Sequence, residues 1–580
     1  KIGSLYRMYM DTVARNRMGY EPIKPALAKV AAIKNRKQCE RVMYELGAKG
    51  YGTMLFGFGL GQDAINSDQY IFGANQGGIG LDPEYYTQPN EQQKAVVAAY
   101  KSLMKDLFKM VGNSEAMAEK KMQAAFAIED QIARQSYDQV KSRDPQANIH
   151  KMSWQDLLRD YPGIDWKQLC LAYGYPSDID SVDVGQPEPI HEVEKILATA
   201  DLFALKATLE ASVISSSVSL LSDDFVNRRF EYTKAVYGVK EQQPRWKRGL
   251  GFVQGLMGES IGKLYVAKYF PESSKQRVVE MVHNLQDAFA QRIGESTWMT
   301  DATKAKAIEK LRSMRINIGY PDKWQNMEEY VQIDESKSLR ANYDEIIPAL
   351  RRRNLEKKWR KPVDKTVFAC NPQMVNAFYA PTFNSINFPA AILQAPFFDA
   401  EADDAANYGA IGAVIGHEMS HGFDDQGCQF DKDGNLNNWW TDEDKANYSQ
   451  RTKVLADWFS AQEVQPGLKV NGEKTLGENI GDNGGINVAF RALQNVMAKQ
   501  PLPEKDGYSA AHRFFLSYAR IWASNVAPQF VAYLVNSDVH SPNQQRVNAA
   551  LPHIDAWYEA WNIQPTDRLY LAPDKRAHIW

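Results

Sequence analysis

Apolar residues recur at three- and four-residue intervals over 93–111 (QKAVVAAYKSLMKDLFKMV), 115–136 (EAMAEKKMQAAFAIEDQIARQS) and 275–293 (KQRVVEMVHNLQDAFAQRI). That spacing predicts amphipathic helices, with Pro162, Pro176 and the stretch 185–189 as punctuation. Between Gly50 and Phe72 small and aromatic residues alternate (YGTMLFGFGLGQD), which suits a hairpin. The texture changes after about residue 361. Two short β-like runs, Met374 to Tyr379 and Asn384 to Phe388, read as paired strands. A glycine-studded helix is expected over roughly 405–423. Thr441 with Asp444 has the pattern of a capping box, Asn471-Gly472 that of a tight turn, and Thr475 opens a helix toward about Ala498. The expected fold is mainly α with a small β-sheet.

The run 351–361 (RRRNLEKKWRK) places seven basic residues in eleven positions. Such runs usually face solvent, so it reads as a solvated helix end or linker rather than a nucleic-acid patch. It suggests two domains, 1–355 mainly helical and 356–580 catalytic, the first able to lend segments to the second.

Composition narrows the picture. The 580 residues are 44% hydrophobic and 24% charged, with a net charge of −3. This is ordinary globular usage, large enough for substantial cores without covalent staples. The balanced charge argues against nucleic acid as the main partner. The four cysteines, Cys39, Cys170, Cys370 and Cys428, form no CxxC pair and no disulfide framework. The longest apolar run near the motif described next, Tyr408 to Gly416, is far short of the roughly 20 residues a membrane span needs, so no transmembrane segment is expected. The N-terminal KIGSLYRMYMD lacks an apolar core, so no signal peptide is expected there.

The chemistry concentrates at His417-Glu418-Met419-Ser420-His421, an HExxH sequence. Four residues apart on a helix, both imidazoles share a face and can reach one ion. Zinc suits two neutral imidazoles and a carboxylate, with a position left for water. Glu418 stands beside that position as a general base. A metzincin would carry a third histidine six residues after His421, but Gly427 stands there, so the third ligand comes from farther along. Glu478, in GENIGDNGG, can complete a His₂Glu site. Asp482, four residues on and on the same helix face, can hydrogen-bond the free nitrogen of a ligand histidine.

HEMSHGFDD and GENIGDNGG, with VNAFY (375–379) and DVHSP (538–542), resemble the neprilysin and endothelin-converting-enzyme family of zinc metallopeptidases. The likeness runs from about Met374 to the end. It extends more weakly through PRWKRGLGFVQGLMGESIGKLYVAKYF (244–270) to LYRMYMD near the start. It implies a thermolysin-like catalytic domain and a large helical domain enclosing a central cavity. It implies one Zn²⁺ per chain on His417, His421 and Glu478, with Glu418 as base and Asp482 supporting His417. It further implies Asn376 and Ala377 in an edge strand that holds substrate backbone, and His540 as oxyanion donor held by Asp538. Arg546 would bind a primed-side carbonyl, and Ile392, Phe397, Ala413, Val414, Ile521 and Trp522 would line an apolar primed-side pocket. The implied activity is endopeptidase cleavage of oligopeptides before large hydrophobic residues.

Two departures stand out. Gly481 replaces an alanine of the family pattern, and His578-Ile579-Trp580 replaces the vertebrate Arg-x-Trp ending. With the vertebrate disulfides missing, the resemblance points to a bacterial member of the endopeptidase O type, expected in the cell envelope or secreted, with the cytoplasm as the alternative. The family's N-terminal arginine, which reads a free substrate carboxylate, has no counterpart in these residues, and the sequence gives no oligomeric state.

Two rival readings have sequence support. Gly258-Glu259-Ser260-Ile261-Gly262 fits G-x-S-x-G, but that elbow needs a preceding strand, which RGLGFVQGLM does not supply. A zinc-stabilised scaffold would close all four positions with protein ligands and would have no use for Glu418.

Overall fold

Residues 1–580 are described by a computed structural model. The chain forms two compact units. One comprises Lys1–Asp63, Asp68–Ser260 and Asn326–Val363; the other comprises Ala64–Ser67, Ile261–Gln325 and Asp364–Trp580. Both are mainly helical with small sheets. No helix is long and apolar enough to cross a membrane.

In the first unit the two long periodic segments are helices, Glu91–Met110 and Glu115–Ala133. Asn90 and Gln93 close a capping box at the first, and Ser114 accepts from the Met117 N–H at the second. The expected hairpin forms from Phe56–Gln62 and Tyr70–Gln76, paired antiparallel with Phe58 opposite Ala74. It joins Ser181–Val184 and Lys151–Ser153 in a four-stranded sheet. Tyr44, Phe56, Phe72, Phe108 and Trp166 are buried in the core beside it.

The basic run belongs to this unit. The expected boundary at 355/356 falls inside the helix Leu339–Lys358, and the chain changes unit at Val363/Asp364. Arg352, Lys357, Arg360 and Lys361 are exposed, as expected of a solvated helix end, but part of the run is also tied down. Arg351 donates to the Ala48 carbonyl at 2.6 Å and lies over Tyr173; Lys358 lies over Tyr70; Arg360 pairs with Asp178 at 2.8 Å; Trp359 packs on Phe72. Long cationic side chains bury their stems and rest their charges on aromatic faces and carbonyls, so a charge run can also be a strap.

Ser260 sits within the helix Arg245–Tyr269, 9% exposed, and its hydroxyl donates to Glu328 at 2.7 Å. It lies on no strand-to-helix elbow, which removes the serine-hydrolase reading.

The second unit holds a three-stranded sheet. Ser385–Pro389 lies between the parallel strand Arg315–Gly319 and the antiparallel edge strand Phe378–Ala380. The first β-like run is thus shorter than expected. Asn376 and Ala377 are not in the edge strand but in the chain leading into it, because backbone pairing with Ser385–Pro389 starts only at Phe378.

Behind the sheet, the HExxH residues start on the helix Ala413–Ser420, reached through a π-helical turn at Tyr408–Gly412. Such turns are frequent at functional sites. Against it lies the helix Leu476–Lys499. A Cβ on Gly485 would stand 2.5 Å from the Ala413 carbonyl oxygen and 2.7 Å from the His417 nitrogen; one on Gly481 would stand 2.7 Å from the His417 ring. The glycines of GENIGDNGG therefore let two backbones approach until carboxylates of one helix reach imidazoles of the other. Ile415, Ile480, Ile486, Val488 and Ala489 are fully buried along this crossing.

Candidate active site

Each imidazole is fixed from behind. His417 donates from Nδ1 to Asp482 Oδ1 at 2.9 Å, and His421 donates from Nδ1 to Asp424 Oδ2 at 2.7 Å. A carboxylate at Nδ1 selects the tautomer whose lone pair lies on Nε2. The two Nε2 atoms face each other at 2.9 Å, and Glu478 Oε2 stands 3.1 Å from one and 3.5 Å from the other. Three lone-pair atoms thus converge. Tetrahedral ligands at zinc–nitrogen distance would lie about 3.4 Å apart. The donor set of two imidazoles and a carboxylate, its spacing and its Nδ1 partners all fit that ion.

The electrostatics agree. Burial disfavours charge on His417, but its bonds to Asp482 and Glu478 prevail and its pKa is raised. His421 is raised further, burial again being overcome by Glu478 and Asp424. Burial likewise opposes ionisation of Glu478, yet the histidines around it hold its carboxyl well below the usual range. The pocket therefore favours positive charge at its centre.

The Glu418 carboxylate lies within 4.8 Å of both histidine ligand atoms and borders a cavity of about 200 Å³. The wall includes Val375, Asn376, Ala377, Ile392, Phe397, Ala413, Val414, Trp522, His540 and Arg546. Of the expected pocket residues, Ile521, the last residue of the helix Ala510–Ile521, is not in that wall; it is half-buried against the core. His540 stands at the rim, 44% exposed at its side chain. Its Nδ1 bonds Asp538 at 2.7 Å and its Nε2 lies 3.2 Å from Glu478. Burial lowers its pKa, but the two carboxylates outweigh this and raise it to about 9.

Arg546 is buried against Trp522, its guanidinium 3.8 Å from the ring centroid, and it grips Asp482 with two nitrogens. Its main-chain carbonyl accepts from the Tyr518 hydroxyl at 2.9 Å. Tyr518, which also lines the cavity, was not legible as a site residue. Asp424 was missed too, though a signal existed: a carboxylate three residues after His421 lies within reach of its ring.

Sequence models of Peptidase family M13 match residues 1–321, for its N-terminal part, and 376–577. The chain is 31% identical to a neutral endopeptidase of Lactobacillus helveticus over its whole length and 87% of that protein. It is 29% identical to human neprilysin, again over its whole length and 82% of the relative. Among solved structures, the zinc metalloprotease Zmp1 of Mycobacterium tuberculosis in complex with an inhibitor matches at a TM-score of 0.95 and 35% identity, covering all of this chain and 88% of that one.

Proposed function

The chain belongs to peptidase family M13 and is a zinc-dependent metalloendopeptidase acting on peptides, and from that premise we propose which side chains do the work and where the cut falls. His417, His421 and Glu478 would hold the metal. Bound there, zinc supplies Lewis acidity to hydrolysis of a peptide carbonyl. Glu418 takes the proton of the attacking water and returns it to the leaving amine, a role worth about 10²–10⁴-fold. His540 donates its Nε2–H to the developing oxyanion, a contribution of about 2.7–4 kcal/mol. Asp538 keeps that ring oriented and charged.

Asn376 and Ala377 extend the open edge of the strand Phe378–Ala380, so a substrate can add its backbone there without its sequence being read. Arg546, anchored on Asp482, turns its remaining donors to a primed-side carbonyl. The side chains of Ile392, Phe397, Ala413, Val414 and Trp522 favour a large hydrophobic residue just after the cut. The convergence of three lone-pair atoms beside a carboxylate carries this reading.

The test is a digest of a peptide library with zinc, with a chelator, and with zinc restored. Cleavage before Phe, Leu, Ile or Met that vanishes and returns with the metal is expected. Cleavage indifferent to the chelator, or directed by charged residues after the cut, would overturn it.

A further inference from the structure

The helix Asp301–Ser313 buries one lysine completely. Lys310 is 1% exposed, and its ammonium ends among backbone carbonyls: Gly422 at 2.6 Å, Gly427 at 2.7 Å and Phe430 at 2.7 Å. All three belong to the loop that leaves the motif helix after His421. Carbonyls of that loop, that of Phe430 again among them, are also taken up by aromatic side chains. The Tyr448 hydroxyl donates to Phe423 at 2.8 Å, the Trp440 indole to Cys428 at 3.1 Å, and the Trp439 indole to Phe430 at 2.9 Å.

The loop is folded tightly. A Cβ on Gly427 would fall 1.8 Å from the His421 carbonyl oxygen, and one on Gly422 would fall 2.3 Å from the Met314 methyl. Within this frame stands Asp424. One of its oxygens accepts from the Gln426 and Gly427 amides at 2.9 and 2.6 Å, and the other holds His421 Nδ1.

A lysine is an expensive way to fill a core. Burial drags the Lys310 pKa down to about 7, with only partial recovery from Cys428, Asp424 and Asp431. A methionine would fill similar volume without that cost. What the ammonium adds is three donors on one atom, which draw together carbonyls up to eight residues apart in sequence. The aliphatic stem and the rings of Phe423 and Trp439, whose centroids lie 5.5 and 5.8 Å from the ammonium, close the site to water.

We propose that Lys310 is a positioning residue of the metal site: by gathering the carbonyls of 422, 427 and 430 it fixes the loop that carries Asp424, and through Asp424 it sets the ring of His421. The inference rests on the metallopeptidase reading and extends it to a residue outside both motifs.

The experiment measures zinc affinity by chelator competition on metal-free protein, alongside thermal midpoint and peptide kinetics. Lys310→Met should raise the zinc dissociation constant about 10–100-fold, the range for loss of a ligand's outer partner. The KM at saturating zinc should stay within about twofold, because the cavity wall is untouched. Combined with Asp424→Asn, it should weaken zinc binding little beyond Asp424→Asn alone, since both act through one ring. Tyr448→Phe removes a single hydroxyl from the same loop and keeps its ring; it should weaken zinc binding severalfold. A lowered thermal midpoint with an unchanged zinc constant in Lys310→Met would make the lysine merely structural and overturn the proposal. If Lys310→Met does not fold, an unchanged zinc constant in Tyr448→Phe overturns it. Wild-type protein that binds no zinc and cuts no peptide would instead refute the peptidase reading, a separate failure seen before any variant is made.

Discussion

Asp482 grips Arg546 at two points, Oδ1 to Nη2 at 2.7 Å and Oδ2 to Nε at 2.8 Å, with the side chains only 2% and 7% exposed. The same Oδ1 accepts from His417. One buried carboxylate therefore couples a proposed metal ligand to a proposed substrate-binding arginine. Burial opposes its ionisation, and Arg546 with His417 holds it below the ordinary carboxyl range. Asp482→Asn keeps the shape but leaves Arg546 as an uncompensated buried charge, which costs about 3–5 kcal/mol. It also removes the acceptor that fixes His417, so zinc affinity should fall about 10–100-fold. Urea unfolding and zinc competition on one preparation test both halves. A variant that loses stability while binding zinc as before would separate the two roles assigned to this residue.

Glu418→Gln separates metal binding from proton transfer. The amide has nearly the same shape and Glu418 is not among the three proposed ligands, so zinc content should remain at one per chain. Turnover should drop about 10²–10⁴-fold with KM little changed, as expected for a group acting only in the transition state. Metal analysis and steady-state kinetics on a quenched peptide decide it. Full turnover would remove Glu418 from the proposed role.

How much of this was readable from sequence depends on how local each signal is. Helix periodicity gave 93–111 and 115–136 because each helix packs one face, and the small glycine-rich stretch 50–72 gave the hairpin. His417, Glu418 and His421 were legible because four-residue spacing on one helix fixes their common face whatever the fold. Glu478 and Asp482 were legible as carboxylates sharing one helix face that could complete the site, but assigning them to it needed the resemblance, since nothing local says that the two helices cross. The three glycines around Asp482 are the physical reason they do, but a glycine announces a close approach only once its neighbour is known. Lys310 was invisible for the same reason: its periodic position marks a helix, and its carbonyl partners lie more than 110 residues away in sequence. The edge strand came out too long because the β-like run Met374 to Tyr379 begins four residues before Phe378, the first residue with a partner strand.

The crossing of the two motif helices makes its own prediction. Gly485→Ala puts a methyl group 2.5 Å from one backbone atom and 2.7 Å from another, neither of which can turn aside as a flexible side chain would. Overpacking of this kind typically costs about 1–3 kcal/mol, and here the strain falls on the backbone of His417. Stability and zinc affinity should fall together. Exposed Gly467, beside whose Cβ position nothing lies within 4 Å but whose φ is +78°, is the matched control. There alanine should cost stability through backbone strain alone and leave zinc affinity unchanged. Equal loss of zinc affinity at both positions would contradict the close-approach argument.

His553 provides a pH test remote from the proposed ligands. It is 2% exposed, its Nδ1 accepts from the Ala577 N–H at 2.9 Å, and its ring stands edge-on to Trp458. Burial, with the positive potential of His578 and Arg576, lowers its pKa from 6.5 to about 4. The unfolded chain takes up a proton near pH 6.5 while the folded chain does not until about pH 4. Across that window the unfolded state binds more protons, so stability falls as pH drops from 7 toward 4. The full loss is about 3 kcal/mol at most. Protonation would also turn the Nδ1 acceptor into a donor facing the Ala577 amide, loosening the segment around 577. His553→Gln offers an amide oxygen to the same N–H and does not titrate. With zinc removed from both proteins, urea unfolding at pH 7 and pH 4.5 should show wild type losing roughly 2 kcal/mol more than the variant. Equal losses in the two proteins would mean that His553 is not the group responsible.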